Sequence, residues 1–230
     1  GDNDQQTYAI AVGYQAGQNS QSQGAVAIGH QAGADAQSPD AVAIGSTAGN
    51  NDQGQYAVAV GDQAGQNSQE DYAVAIGNEA GNDQQAQYAV AIGYKAGQIQ
   101  QKDSGVAIGR EAGGTTQGIA SVAIGVFAAS ETQGDKCIAI GQRAGDQLQK
   151  DNCIAIGSRG ATADSAPGQH NQQTLSIAIG YNCGHTQQGY AAPGQGNAGS
   201  AIAIGNSCSS TDQGANSIAI GYEAGQSHGA

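Results

Sequence analysis

A five-residue pattern of alternating small and β-branched residues, such as Ala25-Val26-Ala27-Ile28-Gly29, recurs thirteen times along the chain. We number each repeat from its closing glycine. The residue two before this glycine is always Ala, and the residues one and three before it are always Val or Ile. Alternating β-branched residues favour extended backbone and place their side chains on one face. The pattern therefore predicts thirteen short β-strands.

The spacing of the repeats indicates how the strands are connected. The first nine intervals between closing glycines are all 16 residues, the next two are 23 and 25, and the last is again 16. Because 16 residues leave no room for a crossover helix between parallel strands, each repeat is interpreted as one coil of a stack. The predicted fold is an all-β parallel β-solenoid of about 13 coils. Regular coils are expected over 1–157, coils with two insertions over 158–205, and final regular coils over 206–230.

Two further columns of like residues support this stacking. Three residues after the glycine, Ala is present in ten repeats and is usually followed by Gly, which predicts a tight corner. Eight residues after the glycine the residue is almost always Gln, and stacked amides at strand spacing form hydrogen-bonded ladders. The predicted amide ladder consists of Gln21, Gln37, Gln53, Gln69, Gln85, Gln101, Gln117, Gln133 and Gln149. A polar surface column preserved by repeat duplication is the alternative.

The Val and Ile columns allow two packings. If they point inward, they form an aliphatic core and a monomer suffices. If Ala and Gly point inward, an apolar stripe covers the outside and must be buried against other chains. The second packing is favoured because the small residues are the invariant ones. The stripe comprises Val26, Ile28, Val42, Ile44, Val74, Ile76, Val90, Ile92, Val106, Ile108, Val122 and Ile124.

Tyrosine and cysteine also occur in columns. Tyr56, Tyr72 and Tyr88 occupy one column in consecutive coils. They predict a stacked aromatic strip that stabilises the coils, with glycan or partner binding as the alternative. The cysteine pairs Cys137/Cys153 and Cys183/Cys208 each lie in adjacent coils. Free buried thiols are favoured over disulfides, because in-register parallel side chains hold their Cβ atoms farther apart than a relaxed disulfide requires.

The chain offers little else that resembles a catalytic or metal site. Its four histidines fall in unrelated columns, and they are interpreted as exposed turn residues. No paired Cys-x-x-Cys or calcium-binding repeat signature is present, so no cofactor or metal is expected and the chain is not predicted to be an enzyme. The insertions, about 158–172 and 189–199, are expected at the surface. Their candidate binding residues are Pro167, His170, Tyr190 and Pro193.

Charge and composition narrow the possible partners. The net charge of −12 disfavours nucleic acid and anionic membrane surfaces as direct partners. No stretch is apolar enough to span a bilayer, and the first residues lack the features of a signal peptide. Phe127 is the only Phe, and Trp and Met are absent. A conventional globular core is therefore not expected.

The repeats resemble the head repeats of trimeric autotransporter adhesins of the YadA-like type. Their Ser-Val-Ala-Ile-Gly block occurs here as residues 121–125, with near copies at 176–180 and 217–221. The Ala-Ile-Gly-Tyr-x-Ala-Gly pattern of residues 91–97 is also similar to phage and large-virus fibre repeats. The resemblance implies a left-handed β-roll, a homotrimer and a role in surface attachment. The 16-residue period and the Gln column depart from the bacterial adhesin pattern.

These observations predict an adhesive or structural fibre segment, extracellular, on a cell surface or on a virion. Expected partners are further copies of the chain and a host surface protein or glycan. A purely structural filament subunit is the alternative. An ice-binding solenoid is disfavoured because regular Thr columns are absent.

Overall fold

The computed structural model describes residues 5–158, 166–190, 199–209 and 211–226. Every regular element in those residues is a β-strand, and none of them forms a helix. The chain forms two compact units, residues 1–116 and 117–230. Within the described ranges, no helical segment with the length and apolarity of a membrane span is found.

The first unit consists of two sheets of short parallel strands, one on each side of a thin interior. The first sheet contains β1 Ile10–Val12, β3 Val26–Ile28, β5 Val42–Ile44, β7 Val58–Val60, β9 Val74–Ile76, β11 Val90–Ile92 and β13 Val106–Ile108, paired in that order. The second contains β2 Asn19–Gln21, β4 Asp35–Gln37, β6 Asn51–Gln53, β8 Asn67–Gln69, β10 Asp83–Gln85 and β12 Ile99–Gln101, also in that order. A short strand, β14, spans Thr116–Gln117.

The second unit repeats this plan with less regular strands. Its first sheet contains β15 Val122–Ile124, β17 Ile138–Ile140, β19 Ile154–Ile156, β20 Ile177–Tyr181, β22 Ile202–Asn206 and β24 Ile218–Ile220, in that order. On the other side, β16 Thr132–Gln133 pairs with β18 Leu148–Gln149, and β21 Gln188–Tyr190 pairs with β23 Gln213–Gly214.

The strand register confirms the predicted parallel β-solenoid. In the first sheet Val26, Ala27 and Ile28 lie beside Val42, Ala43 and Ile44. In the second sheet Gln37 lies beside Gln53. One 16-residue repeat therefore makes one circuit and returns each residue type to its own column.

The interior contains small side chains and amides instead of branched aliphatic ones. The Ala residues two and four before the glycine and three after it are buried, as Ala25, Ala27 and Ala32 show. All of the largest fully buried side chains are glutamines. Val26 is only half-buried and Ile28 is exposed, so the branched residues face outward. The two sheets are thus separated by alanine methyl groups and glutamine side chains.

Two glycine columns are required by close backbone approach. At Gly61, φ is +135° and an added Cβ would lie 2.5 Å from the carbonyl oxygen of Gly77 in the next coil. At Gly33, φ is +50° and a Cβ would lie 2.8 Å from the amide carbon of Gln37. A side chain at either position would be strained in conformation and would collide with its neighbour.

Each coil also turns at residues other than glycine with left-handed backbone. In one circuit these are Gln31, Ala36 and Asp40, with φ of 52°, 53° and 57°. Left-handed conformation is costly for Gln31 and Ala36, whereas an Asp such as Asp40 adopts it more easily. The corners are therefore sustained by the hydrogen bonds between coils, such as the donation from Gln31 N–H to the Tyr14 carbonyl at 2.9 Å.

Replacing a closing glycine tests how tightly neighbouring coils approach. We expect Gly61→Ala to lower the free energy of unfolding by about 3 kcal/mol, since it combines backbone strain with a clash. Gly214→Ala is the control, because no atom lies within 4 Å of its added Cβ. Urea unfolding followed by circular dichroism measures both. Equal stability of the two variants would contradict the close packing of the glycine column.

Candidate functional site

The first sheet of residues 1–116 presents an aliphatic face, which we define as its outward Val and Ile side chains. The strands β3, β5, β9 and β11 follow the same order of a half-buried Val, a buried Ala and an outward Ile. Ile28, Ile44, Ile76 and Ile92 are 38%, 37%, 39% and 36% exposed. Val26, Val42, Val74, Val90, Val106 and Ile108 are half-buried on the same face. Because the intervening Ala points inward, the outward residues form a continuous apolar surface.

The same face occurs in the second unit. Val122 and Ile124 are half-buried in β15, and Ile140 in β17 is 36% exposed. Ile218 and Ile220 in β24 are 70% and 64% exposed. The structure therefore places all twelve predicted stripe residues on outward faces, as in the packing with Ala inside.

The second sheet presents a different, polar surface. Its strands end in the buried Gln, and the two preceding residues face solvent, as Asn67 and Ser68 do in β8. Side-chain amides and carboxylates connect adjacent coils: Asn19 donates to Asp35 at 2.7 Å and Asn51 donates to Asn67 at 2.8 Å. The surface of the second sheet is thus polar, whereas that of the first sheet is apolar.

The glutamine column forms a hydrogen-bonded ladder inside the coils. The Gln37 amide nitrogen Nε2 donates to Oε1 of Gln53 at 3.1 Å in the next coil. The same nitrogen donates to the carbonyl oxygens of Val26 in the first sheet, at 2.9 Å, and of Ala41, at 3.2 Å. Each glutamine therefore joins the two sheets of its own coil and also joins consecutive coils.

The ladder follows the predicted column closely in both units. Within residues 1–116 it runs through Gln21, Gln37, Gln53, Gln69, Gln85 and Gln101, with amide-to-amide distances of 3.0 to 3.1 Å. In the second unit it runs through Gln117, Gln133, Gln149, Gln172 and Gln188. Gln172 continues the column after the first insertion. Oε1 of Gln213 is buried without a hydrogen-bond partner in the described residues, so the ladder does not continue there.

Tyr56, Tyr72 and Tyr88 form a stack on the surface of the first unit. Their ring centroids are 5.1 and 5.2 Å apart, and the ring planes differ by 25° and 15°. The side chains are about half exposed, at 45%, 45% and 54%. Each ring stacks on its neighbour, which adds contact between the turns of consecutive coils and leaves about half of each tyrosine exposed.

The interpretation of Cys183 and Cys208 as free thiols is wrong. The two residues form a disulfide, with their Cα atoms 4.7 Å apart. Cys137 and Cys153 are free and buried. The disulfide connects coils that flank the second insertion, where the amide ladder stops. A covalent bond therefore links neighbouring coils at the point where the amide-to-amide bond is lost.

The interpretation of the histidines as exposed turn residues is also wrong for His170 and His185, which are half-buried. His170 and His185 lie in adjacent coils with ring centroids 5.0 Å apart, one edge directed at the other ring. The His170 backbone N–H donates to the His185 carbonyl at 2.9 Å. The first insertion lengthens the coil that contains His170. The regular 16-residue spacing therefore does not predict that His170 and His185 lie close together.

The insertion residues are only partly surface residues. Pro167 is buried at the coil corner, in the place of the usual Ala, so it is not a candidate for direct binding. Its carbonyl accepts from Gly145 N–H at 3.1 Å, as the corner Ala carbonyls do in regular coils. His170 is half-buried and Tyr190 is 43% exposed. Pro193 lies outside the described residues.

A shallow polar groove of 460 Å³ lies along the second sheet of the first unit, lined among others by Ser68, Glu70 and Asp71. Two of its three carboxylates are bonded to backbone: Asp71 accepts from Gln55 N–H at 2.7 Å, and Glu70 accepts from Gln87 N–H at 3.1 Å. These carboxylates therefore hold adjacent coils together. Across the described residues, no three or more His, Cys, Asp or Glu side chains are grouped to hold a metal ion.

Part of this arrangement of Ala-lined coils matches a known protein family. The family model of the YadA head domain repeat matches residues 53–80 in two copies. These residues form YadA-like head repeats. They include the strands β7 and β9 and the ladder residues Gln53 and Gln69. The remaining coils show the same columns of Ala, Gln and outward Val or Ile. Neither a curated protein nor a solved structure matched the chain.

Removing one amide from the ladder tests its contribution. Gln53→Met keeps the length of the side chain but removes the hydrogen bonds to Val42, to Ala57 and within the ladder. We expect the free energy of unfolding to fall by about 2–4 kcal/mol, because buried polar partners lose their hydrogen bonds. Gln23→Met, at an exposed position, is the matched control and should change stability by less than about 0.5 kcal/mol. Equal unfolding curves for the two variants in urea would show that the amides contribute nothing.

Proposed function

We propose that the chain is a structural and adhesive segment of a surface fibre, in which copies of the chain associate through their aliphatic faces. One observation carries the proposal. The Val and Ile columns point to solvent while Ala and Gln fill the interior. Burying a Val or Ile side chain contributes about 1.5–3 kcal/mol, so leaving a column of them in water is unfavourable.

The most suitable occupant of the aliphatic face is another copy of the same chain. The face repeats with the coil spacing, since Val90 lies beside both Val74 and Val106 in register. A second copy aligned along the same axis presents outward side chains at the same spacing, so the contacts are repeated coil after coil. A partner without this periodicity would match only part of the face.

The match to the YadA head domain repeat supports three copies around a common axis. It also supports a location outside the cell, on a cell surface, and attachment as the role. A fibre of this kind acts through many equivalent weak contacts to a host surface protein or glycan, and their combined strength exceeds that of any single contact. The polar second sheet would remain available for such contacts, while the aliphatic face is covered. The role is mechanical and adhesive rather than enzymatic.

A matched pair of substitutions tests the proposed interface. Ile92 and Ile99 are similarly exposed, at 36% and 40%, but lie on the first and second sheets respectively. We expect Ile92→Asp to weaken self-association about tenfold or more, because it places a charge in an apolar interface. Ile99→Asp should leave association unchanged. Analytical ultracentrifugation over a dilution series measures the oligomeric state of the parent chain and both variants.

The outcomes separate the possible assemblies. A trimeric parent chain with selective loss in Ile92→Asp supports the proposal. Open-ended polymers that both variants still form would indicate a filament joined end to end. A parent chain that remains monomeric at every concentration, with its fold intact by circular dichroism, would overturn the proposal.

A further inference from the structure

Cys137 and Cys153 lie side by side in adjacent coils of the second unit. They directly precede β17 and β19, whose register pairs Ile138 with Ile154. Both side chains are fully buried, in a column that most coils fill with Ala. A second sulfur-bearing pair is thus enclosed within the stack, separate from the disulfide already described.

The two thiols contact each other and the surrounding backbone. The Cys153 backbone N–H donates to Cys137 Sγ at 3.4 Å. The Cys137 thiol donates to the Lys150 carbonyl and the Cys153 thiol to the Gln173 carbonyl, each at 2.8 Å. The interaction with the Cys153 side chain lowers the pKa of Cys137. The same interaction, followed by burial, raises the pKa of Cys153. Cys137 is therefore the thiol that ionises more readily, and a thiolate is the form that attacks disulfides.

The Cys183–Cys208 pair shows that a disulfide can join two residues of one column in adjacent coils. Cys183 and Cys208 also occupy one column in adjacent coils, and their Cα atoms are 4.7 Å apart. Parallel strands are spaced by about 4.8 Å, and disulfides are found at Cα separations of about 4.4–6.8 Å. The in-register positions of Cys137 and Cys153 fall within that range.

We propose that Cys137 and Cys153 are a second inter-coil disulfide site, closed by a small-molecule disulfide such as oxidised glutathione. The Cys137 thiolate attacks one glutathione sulfur, forming a mixed disulfide and releasing one glutathione thiolate. The Cys153 thiolate then attacks Cys137 Sγ, forming the protein disulfide and releasing the second glutathione. The two thiol protons pass to the two glutathione thiolates, so the protein loses two electrons and glutathione gains them.

The proposed disulfide would cross-link two adjacent coils. It would tie together the two coils that precede the first insertion, while Cys183–Cys208 ties together the coils that flank the second. Cross-linking adjacent coils restricts the unfolded chain and opposes separation of the coils. The site does not depend on the proposed fibre role or on self-association.

The experiment uses the full chain with Cys183→Ala and Cys208→Ala, which leaves Cys137 and Cys153 as its only cysteines. Ala is the usual residue at both replaced positions, so the coil fold should be retained. Because both remaining thiols are buried in the folded chain, the protein is refolded from denaturant with reduced and oxidised glutathione. Alkylation after denaturation counts the remaining thiols, and mass spectrometry of tryptic fragments locates any bond.

We expect the number of free thiols to fall from two to none, with fragments 137–143 and 151–159 joined. The urea midpoint should rise relative to the reduced protein and return when reductant is added. The same background with Cys137→Ala is the control, and its midpoint should not respond to oxidant. Two alkylatable thiols, a separate glutathione adduct on each cysteine, or bonds only between chains would each overturn the proposal.

Discussion

The narrow space between the two sheets is the constraint on which the structure depends. It is filled mainly by alanine methyl groups and by the glutamine amides that cross it, and among the residues that the structure describes no side chain larger than glutamine is fully buried. An amide buried without partners would destabilise the fold, so a ladder glutamine needs acceptors on the opposite sheet and in the next coil. Gln37 does so through Val26, Ala41 and Gln53. The same requirement fixes the 16-residue register, because a displaced coil would separate the amides.

This interior explains why the apolar surface faces outward. A space filled by Gln and by small residues such as Ala leaves the branched Val and Ile side chains no position inside, although they favour the extended backbone that the strands need. The interior amides of the coil are therefore hydrogen-bonded, but its outward Val and Ile side chains remain exposed to water. In the proposed assembly, association through that face would complete the burial that a single chain lacks. The form of the coil and its exposed apolar face thus have the same physical origin.

The sequence predicted the strands, the register and the amide column, because each is repeated many times and a repeated residue reveals its shared environment. It did not predict left-handed corners at residues such as Gln31, since they are sustained by bonds between coils and not by local preference. The Cys183–Cys208 disulfide was not predicted because in-register side chains were expected to lie too far apart for a bond, whereas these two residues are bonded with their Cα atoms 4.7 Å apart. The same insertions hid the contact between His170 and His185, which lie in different columns by simple counting.

Hydrogen exchange of the glutamine side-chain amides, followed by NMR, tests the central claim most directly. If the ladder is enclosed and bonded as described, the Nε2 hydrogens of Gln53, Gln69 and Gln85 exchange as slowly as the backbone amides of β7 and β9. Those of the exposed Gln23 exchange as in a free peptide. Rapid exchange at the ladder positions in an otherwise folded chain would contradict the account, because it would place the glutamines in solvent and leave the interior without its hydrogen bonds.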